Sequence, residues 1–171
     1  AQFLFFNRPN CFISSGGLGA MGYEVPAAMG AALARPDATI WSIAGDGGFQ
    51  MTLQELATIV EEKLPVKIAL FNNGTLGMVR QWQELFYEEH YKAVPIPGPD
   101  FVKLAEAFGI PAIRITQRDQ VMSSLLEANN TEGPFLLNFI LEGQENVYPI
   151  VAPGAGLKDT LEDPRFTPLN P

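Results

Sequence analysis

Two short polar clusters each follow an apolar run, at the points where buried strands would end. Residues 39–44 form the first run and precede residues 45–48 (Gly-Asp-Gly-Gly); residues 66–71 form the second and precede residues 72–73 (Asn-Asn). Runs that are apolar throughout are typical of parallel strands covered on both faces. Because ligands bind at the carboxyl edge of such a sheet, we expect both clusters to lie together at a binding site.

Further apolar runs, alternating with helical patterns, predict an α/β fold. The expected strands are residues 11–14, 39–44, 66–71, 112–115 and 135–141. The expected helices carry apolar residues at helical spacing: Leu53, Leu56, Ala57 and Val60; Phe101, Leu104, Ala105 and Phe108; and Val121, Met122, Leu125 and Leu126. This alternation indicates a doubly wound, mostly parallel sheet with helices on both faces, a three-layer architecture.

Polar residues mark where these helices are expected to begin. Thr52, with Glu55 three positions later, is a predicted capping box for the first helix. Asp100 precedes the second helix, and Thr116 with Asp119 opens the third. We therefore expect the first helix to start near Thr52 and to aim its free N–H groups at the space above the preceding strand end.

The composition changes after residue 141. From there on, proline and glycine recur at short intervals without a helical stripe. We predict a single domain over residues 1–141, followed by a C-terminal tail over residues 142–171. Because the chain begins with Ala1 and not with Met, we also expect it to be a fragment of a larger chain.

Charge and cysteine content limit the expected partners. The net charge is -8 at pH 7, so no nucleic-acid partner is expected. The single Cys11 cannot form an internal disulfide and lies beside an apolar run, so we expect a buried thiol in a reducing, cytoplasmic compartment. No uncharged stretch reaches the roughly 20 apolar residues that cross a bilayer, so no membrane partner is expected.

The acid Asp46, flanked by glycines, indicates a phosphate and metal site. Glycines permit close backbone approach, and the N–H groups of the following helix favour an anion such as a diphosphate. Because the local side chain is itself an acid, a divalent cation is needed to bridge it to phosphate, and Mg²⁺ suits hard oxygen ligands. Asn73, at the end of the next strand, offers a second, neutral ligand. Either cluster alone is an ordinary turn sequence, but the two together favour the metal site.

Residues 45–47 and 72–73 are similar to the cofactor motif of thiamin diphosphate-dependent enzymes. Further stretches extend the similarity over nearly the whole chain: residues 16–23, 26–28, 54–58, 76–79, 81–87 and 146–149. With them, the sequence resembles the C-terminal pyrophosphate-binding domain of the acetolactate synthase (acetohydroxyacid synthase) large subunit. The stretch between residues 76 and 87 is more specific to this branch than the metal motif is.

This resemblance implies an activity, cofactors and partners. It implies the thiamin diphosphate-binding fold and a carboligase that decarboxylates pyruvate and transfers the two-carbon unit to a second 2-oxo acid; another thiamin diphosphate decarboxylase or carboligase is the alternative. In the family, the cofactor lies between such a domain and the pyrimidine-binding domain of a partner protomer, so we expect the isolated chain to be inactive. A small regulatory subunit is compatible with the resemblance, as is FAD in a middle domain of the parent enzyme, not on this chain.

The resemblance also assigns the metal and diphosphate ligands. Asp46 and Asn73 are expected to bind Mg²⁺ through their side chains, and the backbone carbonyl of Thr75 is the expected third protein ligand. Gly47 and Gly48 are expected to meet the diphosphate. No residue of this chain is assigned a covalent catalytic step.

Other positions are expected to contact the remainder of the cofactor and the substrate. Met21 matches the family residue that props the cofactor into its bent form, and Gly19, Gly77 and Met78 are expected to line the cofactor. Trp82, together with Met78, is expected to face the second-substrate pocket. Plain core packing is the alternative for Met21, Met78 and Trp82, because Met and Trp are ordinary interior residues.

Two positions near the motif depart from the family pattern. Glu24 stands where a small residue is usual, and Gly48 replaces a frequent serine, so a hydroxyl contact to phosphate is lost. His90, the only histidine, follows two glutamates in a polar stretch, and we expect a solvated role for it.

A competing interpretation comes from another class of protein. Residues 17–22 carry glycines at the spacing of a dinucleotide-binding fingerprint, and they follow an expected strand and precede an expected helix, which is the context of that fingerprint. Asp46 would then bind a ribose of a nicotinamide cofactor. This alternative leaves residues 72–73 without a role.

Overall fold

Four parallel strands form one sheet in the computed structural model, which describes residues 4–166. In chain order the elements are α1 Glu24–Ala34, β1 Ile40–Gly45, α2 Asp46–Thr52, α3 Glu55–Glu61, β2 Val66–Asn72, α4 Gly77–Phe86, α5 Phe101–Ala107, β3 Ala112–Ile115, α6 Gln120–Asn130 and β4 Phe135–Ile140. Two short 3₁₀ turns follow, at Leu157–Asp159 and Pro164–Phe166.

The strand order across the sheet is β1-β2-β4-β3, and every neighbouring pair is parallel. The last residue of β1, Gly45, pairs with Phe71 of β2, and Asn72 pairs with Ile140 of β4. The carboxyl ends of β1, β2 and β4 therefore lie side by side. The predicted α/β fold with a parallel sheet is confirmed.

Helices cover both faces of the sheet. One core cluster joins α1, α2, α3 and α5 to the sheet, through residues such as Val25, Phe49 and Phe101. The other joins α6 to the opposite face, around Ala128. Neighbouring residues of a strand point to opposite faces, so Leu136 of β4 lies in the first cluster while the residues on either side of it lie in the second. The three-layer prediction is confirmed.

The chain forms two compact units. Within the described residues, the first contains residues 4–74 and 96–141, with the sheet and all helices except α4. The second contains residues 75–95 and 142–166, with α4 and the two 3₁₀ turns.

The predicted strand over residues 11–14 is wrong. These residues form no strand, and Phe12 and Ile13 are 50% and 55% exposed. The thiol of Cys11, expected to be buried, is exposed as well. A strand needs a neighbour to satisfy its backbone groups, and none lies beside this segment among residues 4–166.

The predicted capping box at Thr52 is also wrong. Thr52 ends α2, and α3 begins at Glu55 without a side-chain cap. The reason lies at the end of β1, where Gly45 is extended (φ -85°, ψ 154°) and the helical turn begins at the very next residue. In α3, Ile59 is fully buried, while Val60 of the predicted stripe is 38% exposed.

The other two helices match the predictions better. Asp100 caps α5 by accepting hydrogen bonds from the N–H groups of Val102 and Lys103 at 3.2 and 3.4 Å. All four apolar residues of its stripe lie in or against the core. In α6, Val121 and Leu125 of the predicted stripe pack against the core. Met122 and Leu126 are 66% and 55% exposed, because the buried face of the helix continues through the small residues Ser124 and Ala128.

The capping residue Asp100 makes stability depend on pH in a defined direction. Its ion pair with Arg114 is the main factor that lowers the pKa of this carboxyl below its ordinary value of 3.8. The contribution to stability is therefore full above that ordinary value and is lost as the pH falls through the lowered pKa. We expect Asp100→Asn, which preserves a capping oxygen but not the charge, to lose less stability than the wild type on acidification.

The measurement is urea unfolding at a series of acidic pH values. Asp119→Asn is the matched control, because Asp119 precedes α6 without a side-chain cap. An Asp100→Asn protein whose stability follows the wild-type pH curve would contradict the expectation.

Candidate active site

A buried carboxylate at the start of α2, directly after β1, contacts the loop that follows β2. Asp46 is only 3% exposed, and its Oδ2 accepts a hydrogen bond of 2.8 Å from the backbone N–H of Gly74. Its Oδ1 accepts one of 3.1 Å from the N–H of Gly47. The two polar clusters therefore lie together at the carboxyl edge of the sheet.

The surroundings leave the charge on Asp46 incompletely compensated. Burial raises the pKa of Asp46 above its ordinary value, while N–H groups from both loops, those of Gly74 and Gly47 first, oppose that rise. Within residues 4–166, no Lys, Arg or His forms an ion pair with this carboxylate. An ionised acid in such a place is stabilised by a cation bound beside it.

The loop after β2 is held on both sides of Asn73. The carbonyl of Asn72 accepts a hydrogen bond of 2.9 Å from Leu141, which continues the sheet by one residue. Gly74 has a positive φ of 68° and its carbonyl accepts 3.0 Å from Ile96. Because residues 72 and 74 are both held in place, the position of Asn73 between them is fixed next to the residue that contacts Asp46.

The glycine-rich loop before α1 packs against the end of α2. Gly22 has a φ of +77°, and a Cβ there would lie 3.1 Å from Cγ2 of Thr52 and 3.2 Å from Cβ of Met51. Only glycine suits both this backbone conformation and this close approach. Gly19 and Met21 lie on the same loop, where Met21 is 51% exposed and does not pack into the core.

A serine that the sequence analysis missed shapes this loop. The hydroxyl oxygen of Ser15 accepts from the N–H of Ala20 at 2.9 Å, and its carbonyl accepts from the N–H of Gly19 at 2.8 Å. Ser followed by glycines is a recognised turn sequence and could have signalled this role.

The second unit contains the other predicted site residues, Thr75, Gly77, Met78 and Trp82. Gly77 is the first residue of α4, and Met78 and Trp82 lie one helical turn apart with 50% and 37% of their surfaces exposed. A groove of about 660 Å³ runs along this face of the helix. It is lined by Met78, Val79, Trp82, Gln83, Phe86, Tyr87, Glu88 and His90. The structure thus brings the two predicted substrate residues together, with His90 on the same groove.

Gln81 fixes part of the predicted tail to α4. The side chain is 1% exposed, and its amide bonds the backbone of Val147 in both directions, at 2.8 Å to the carbonyl and 2.9 Å from the N–H. Next to it, Asn146 bonds both Arg80 and Glu84, at 3.1 and 3.0 Å. The family-like stretch 146–149 was the only sequence signal for this contact.

We expect Gln81→Leu to loosen the segment around Val147. The substitution preserves volume but leaves a backbone N–H and a carbonyl without their partner, which costs about 1–3 kcal/mol. Hydrogen exchange of the Val147 amide should become much faster.

The matched control is Gln83→Leu. Gln83 bonds the backbone of Lys92 in the same two-way manner, at 3.1 and 2.8 Å, but in an exposed place where water can substitute. The effect there should be smaller. Equal effects of the two substitutions would count against a special role for Gln81.

Two properties of residues 4–166 bear on this site. None of the helices there is both long and apolar enough to span a membrane. No group of three or more His, Cys, Asp or Glu side chains is placed to hold a metal. A cation at the carboxyl edge would therefore be bound by the single carboxylate of Asp46 and by neutral oxygens, a donor set that suits Mg²⁺.

The dinucleotide-binding alternative fails on the structure. A fingerprint of that kind needs a strand directly before residues 17–22, and the described part of the chain has none there.

Comparison with known proteins identifies the family of this chain. The family model described as thiamine pyrophosphate enzyme, C-terminal TPP binding domain, matches residues 1–139. The chain is 48% identical over 163 residues to the acetolactate synthase isozyme 2 large subunit of Escherichia coli (strain K12), covering 95% of this chain and 30% of that protein. It is 43% identical over 171 residues to acetolactate synthase 2, chloroplastic, of Nicotiana tabacum, covering 95% of this chain and 26% of that protein.

A solved structure shows the same fold. The thiamine diphosphate-dependent 4-hydroxybenzoylformate decarboxylase of Rhodococcus jostii RHA1 has a TM-score of 0.68 and 30% sequence identity, over 72% of this chain and 24% of that one. The chain thus spans less than a third of the length of each relative named here. From the family match and these identities, the chain belongs to the thiamine pyrophosphate enzymes and contains their C-terminal TPP-binding domain.

Proposed function

We propose that this chain supplies the diphosphate- and Mg²⁺-binding half of a thiamin diphosphate-dependent carboligase, an acetolactate synthase. The reaction would be the decarboxylation of pyruvate and the transfer of its two-carbon unit to a second 2-oxo acid. The observation that carries the proposal is the buried carboxylate of Asp46, bonded to Gly74 beside Asn73 at the carboxyl edge of the sheet.

The residues at this edge fit a diphosphate held through a divalent cation. Asp46 offers a buried anionic oxygen, and Asn73 a neutral amide oxygen on the adjoining loop. We propose both as Mg²⁺ ligands, with the backbone carbonyl of Thr75 as the third. Gly47 and Gly48, in the first turn of α2, would present backbone N–H groups to the diphosphate.

Five further residues are proposed to contact the rest of the cofactor or the substrate. Met21 would support the bent cofactor from the loop before α1, where Gly19 would allow close approach. Gly77 and Met78 would line the cofactor, and Met78 with Trp82 would face the second 2-oxo acid. When bound, thiamin diphosphate supplies the electron sink for the loss of carbon dioxide.

The remaining part of the site is proposed to come from elsewhere. A pyrimidine-binding domain of a partner protomer would complete it, in a homodimer or a larger assembly, and a small regulatory subunit would bind the parent enzyme. FAD, if the parent enzyme contains it, would lie outside this chain. We further propose that residues 1–141 form the pyrophosphate-binding domain, that residues 142–171 form a tail, and that the enzyme is cytoplasmic.

The proposed function is tested by two titrations and one assay. Thiamin diphosphate should bind in the presence of Mg²⁺ and not in the presence of a chelator, whereas NAD should not bind in either case. The 171-residue chain alone should form no acetolactate from pyruvate, thiamin diphosphate and Mg²⁺, because part of the site is missing. Metal-independent cofactor binding, or robust acetolactate formation by the chain alone, would refute this division of the site.

A further inference from the structure

The side chain of Glu24 occupies the space where a side chain at position 48 would begin. Gly48 is buried in the first turn of α2, and Glu24 is the first residue of α1. A Cβ built on Gly48 would overlap the Oε1 atom of Glu24 and would lie 3.3 Å from its Cδ. The carboxylate therefore lies directly against the α-carbon of Gly48.

The backbone around Gly48 leaves little other room. The same Cβ would be 3.3 Å from the backbone nitrogen of Gly22, on the loop that packs against α2. Any side chain at position 48 would therefore need Glu24 to move. Glu24 and Gly48 are also the two positions of the motif region that depart from the resembled family pattern. The structure links the two departures, because the side chain of residue 24 fills the space of the side chain that residue 48 lacks. We call this relation the spatial exchange.

The carboxylate of Glu24 has no partner that would hold it there for another reason. Among residues 4–166 it forms no hydrogen bond and no ion pair. Gly48, against which it lies, is two residues from Asp46 along α2, in the turn whose N–H groups are proposed to bind the diphosphate. Because Glu24 is half-buried and has no protein partner, its carboxylate adds negative charge to any site formed by the first turn of α2.

We propose that Glu24 is a positioning residue that replaces a side chain at position 48 and forms part of the wall of the diphosphate site. Its side chain fills the gap over Gly48 and so holds the loop before α1 against α2, while the backbone N–H of Gly48 stays free for phosphate. The second part of this inference rests on the proposed function; the first part, the spatial exchange, does not.

The exchange is tested by four proteins: wild type, Glu24→Gly, Gly48→Ser, and the double variant. Each is measured without cofactor by thermal unfolding, and with thiamin diphosphate and Mg²⁺ by calorimetry. Gly48→Ser alone should lower both the unfolding temperature and the affinity, because the serine displaces the carboxylate. In the Glu24→Gly background the same serine should be tolerated. The effects of the two substitutions on affinity should therefore depart from additivity by about tenfold. Additive effects in both measurements would overturn the exchange.

The position of the charge is tested by Glu24→Gln, which preserves the shape. Removal of an anion beside the diphosphate should tighten thiamin diphosphate binding by about threefold at low ionic strength, and added salt should reduce the difference. Glu55→Gln, at the first residue of α3, is the matched control and should change nothing. Unchanged affinity of Glu24→Gln would overturn the claim that the carboxylate faces the diphosphate.

The outcomes separate this inference from the proposed function. If the wild type binds no thiamin diphosphate, the proposed function and the wall of the diphosphate site both fail. The unfolding temperatures of the four cofactor-free proteins then still decide whether Glu24 and Gly48 exchange places.

Discussion

Replacement of Asp46 by alanine is expected to lower the affinity for thiamin diphosphate by at least about a hundredfold at constant Mg²⁺. The carboxylate is the only charged protein group proposed to bind the cation, so its loss weakens the binding of the cation that neutralises the diphosphate. The substitution also removes the acceptor for the N–H of Gly74 at 2.8 Å, which ties the two loops together. Calorimetric titration of cofactor into the Mg²⁺-loaded protein measures the effect.

Two companion variants sharpen this test. Asp46→Asn retains an oxygen but not the charge and should also bind poorly, since Mg²⁺ prefers carboxylate. Asp37→Ala removes an acid in an exposed ion pair with Arg35 and should bind like the wild type. If Asp46→Ala binds the cofactor normally, the ligand assignment is wrong.

Truncation of Phe49 to alanine is expected to destabilise the protein by about 3–5 kcal/mol, a large share of the stability of an ordinary domain. Phe49 is fully buried in α2, three residues after Asp46. Its ring packs edge-to-face on that of Phe101, with centroids 5.7 Å apart. The helix that follows the candidate metal loop is thus anchored in the core.

Met51 provides the control within the same helix. It is 59% exposed, so Met51→Ala should change stability by less than about 0.5 kcal/mol. Urea unfolding measures both variants. Similar losses for the two would contradict the view that Phe49, and not the helix as a whole, anchors α2 to the core.

The strands could be predicted because a strand that is buried on both faces has a run of mostly apolar residues. The runs at residues 39–44, 66–71, 112–115 and 135–141 each correspond to an observed strand within one residue at either end. Their parallel arrangement followed from the helices between them, and the meeting of Asp46 with the loop after β2 followed from that arrangement. This part of the geometry depends only on local patterns and on general rules of connection.

The wrong predictions of secondary structure arose where a short sequence pattern is compatible with two local structures. Thr52 and Glu55 have the spacing of a capping box, but the backbone already turns into a helix at Asp46, so the threonine lies at the wrong end of one. The apolar run at residues 11–14 resembles a strand, but no other strand lies beside it in the described chain. The strand propensity of these residues is not sufficient to form a strand without a neighbouring strand to pair with.

Contacts between distant side chains away from the strand ends could not be predicted. Two hydrogen bonds join the side chain of Gln81 to the backbone of Val147, far away in the chain, and the type of neither residue indicates this contact. The same holds for Glu24 and Gly48, each of which looked like an isolated departure. Only the spatial arrangement shows that one fills the space left by the other.

The central claim is that one divalent ion at Asp46 and Asn73 holds the diphosphate of the cofactor. Substitution of Mn²⁺ for Mg²⁺ tests it most directly, because this paramagnetic ion broadens the ³¹P resonances of any phosphate that it coordinates. After unbound Mn²⁺ and cofactor are removed by gel filtration, we expect strong broadening of both phosphorus signals of the cofactor that stays on the wild-type protein, and no retained cofactor with Asp46→Ala. Sharp ³¹P signals from protein-bound cofactor in the presence of Mn²⁺ would contradict the account.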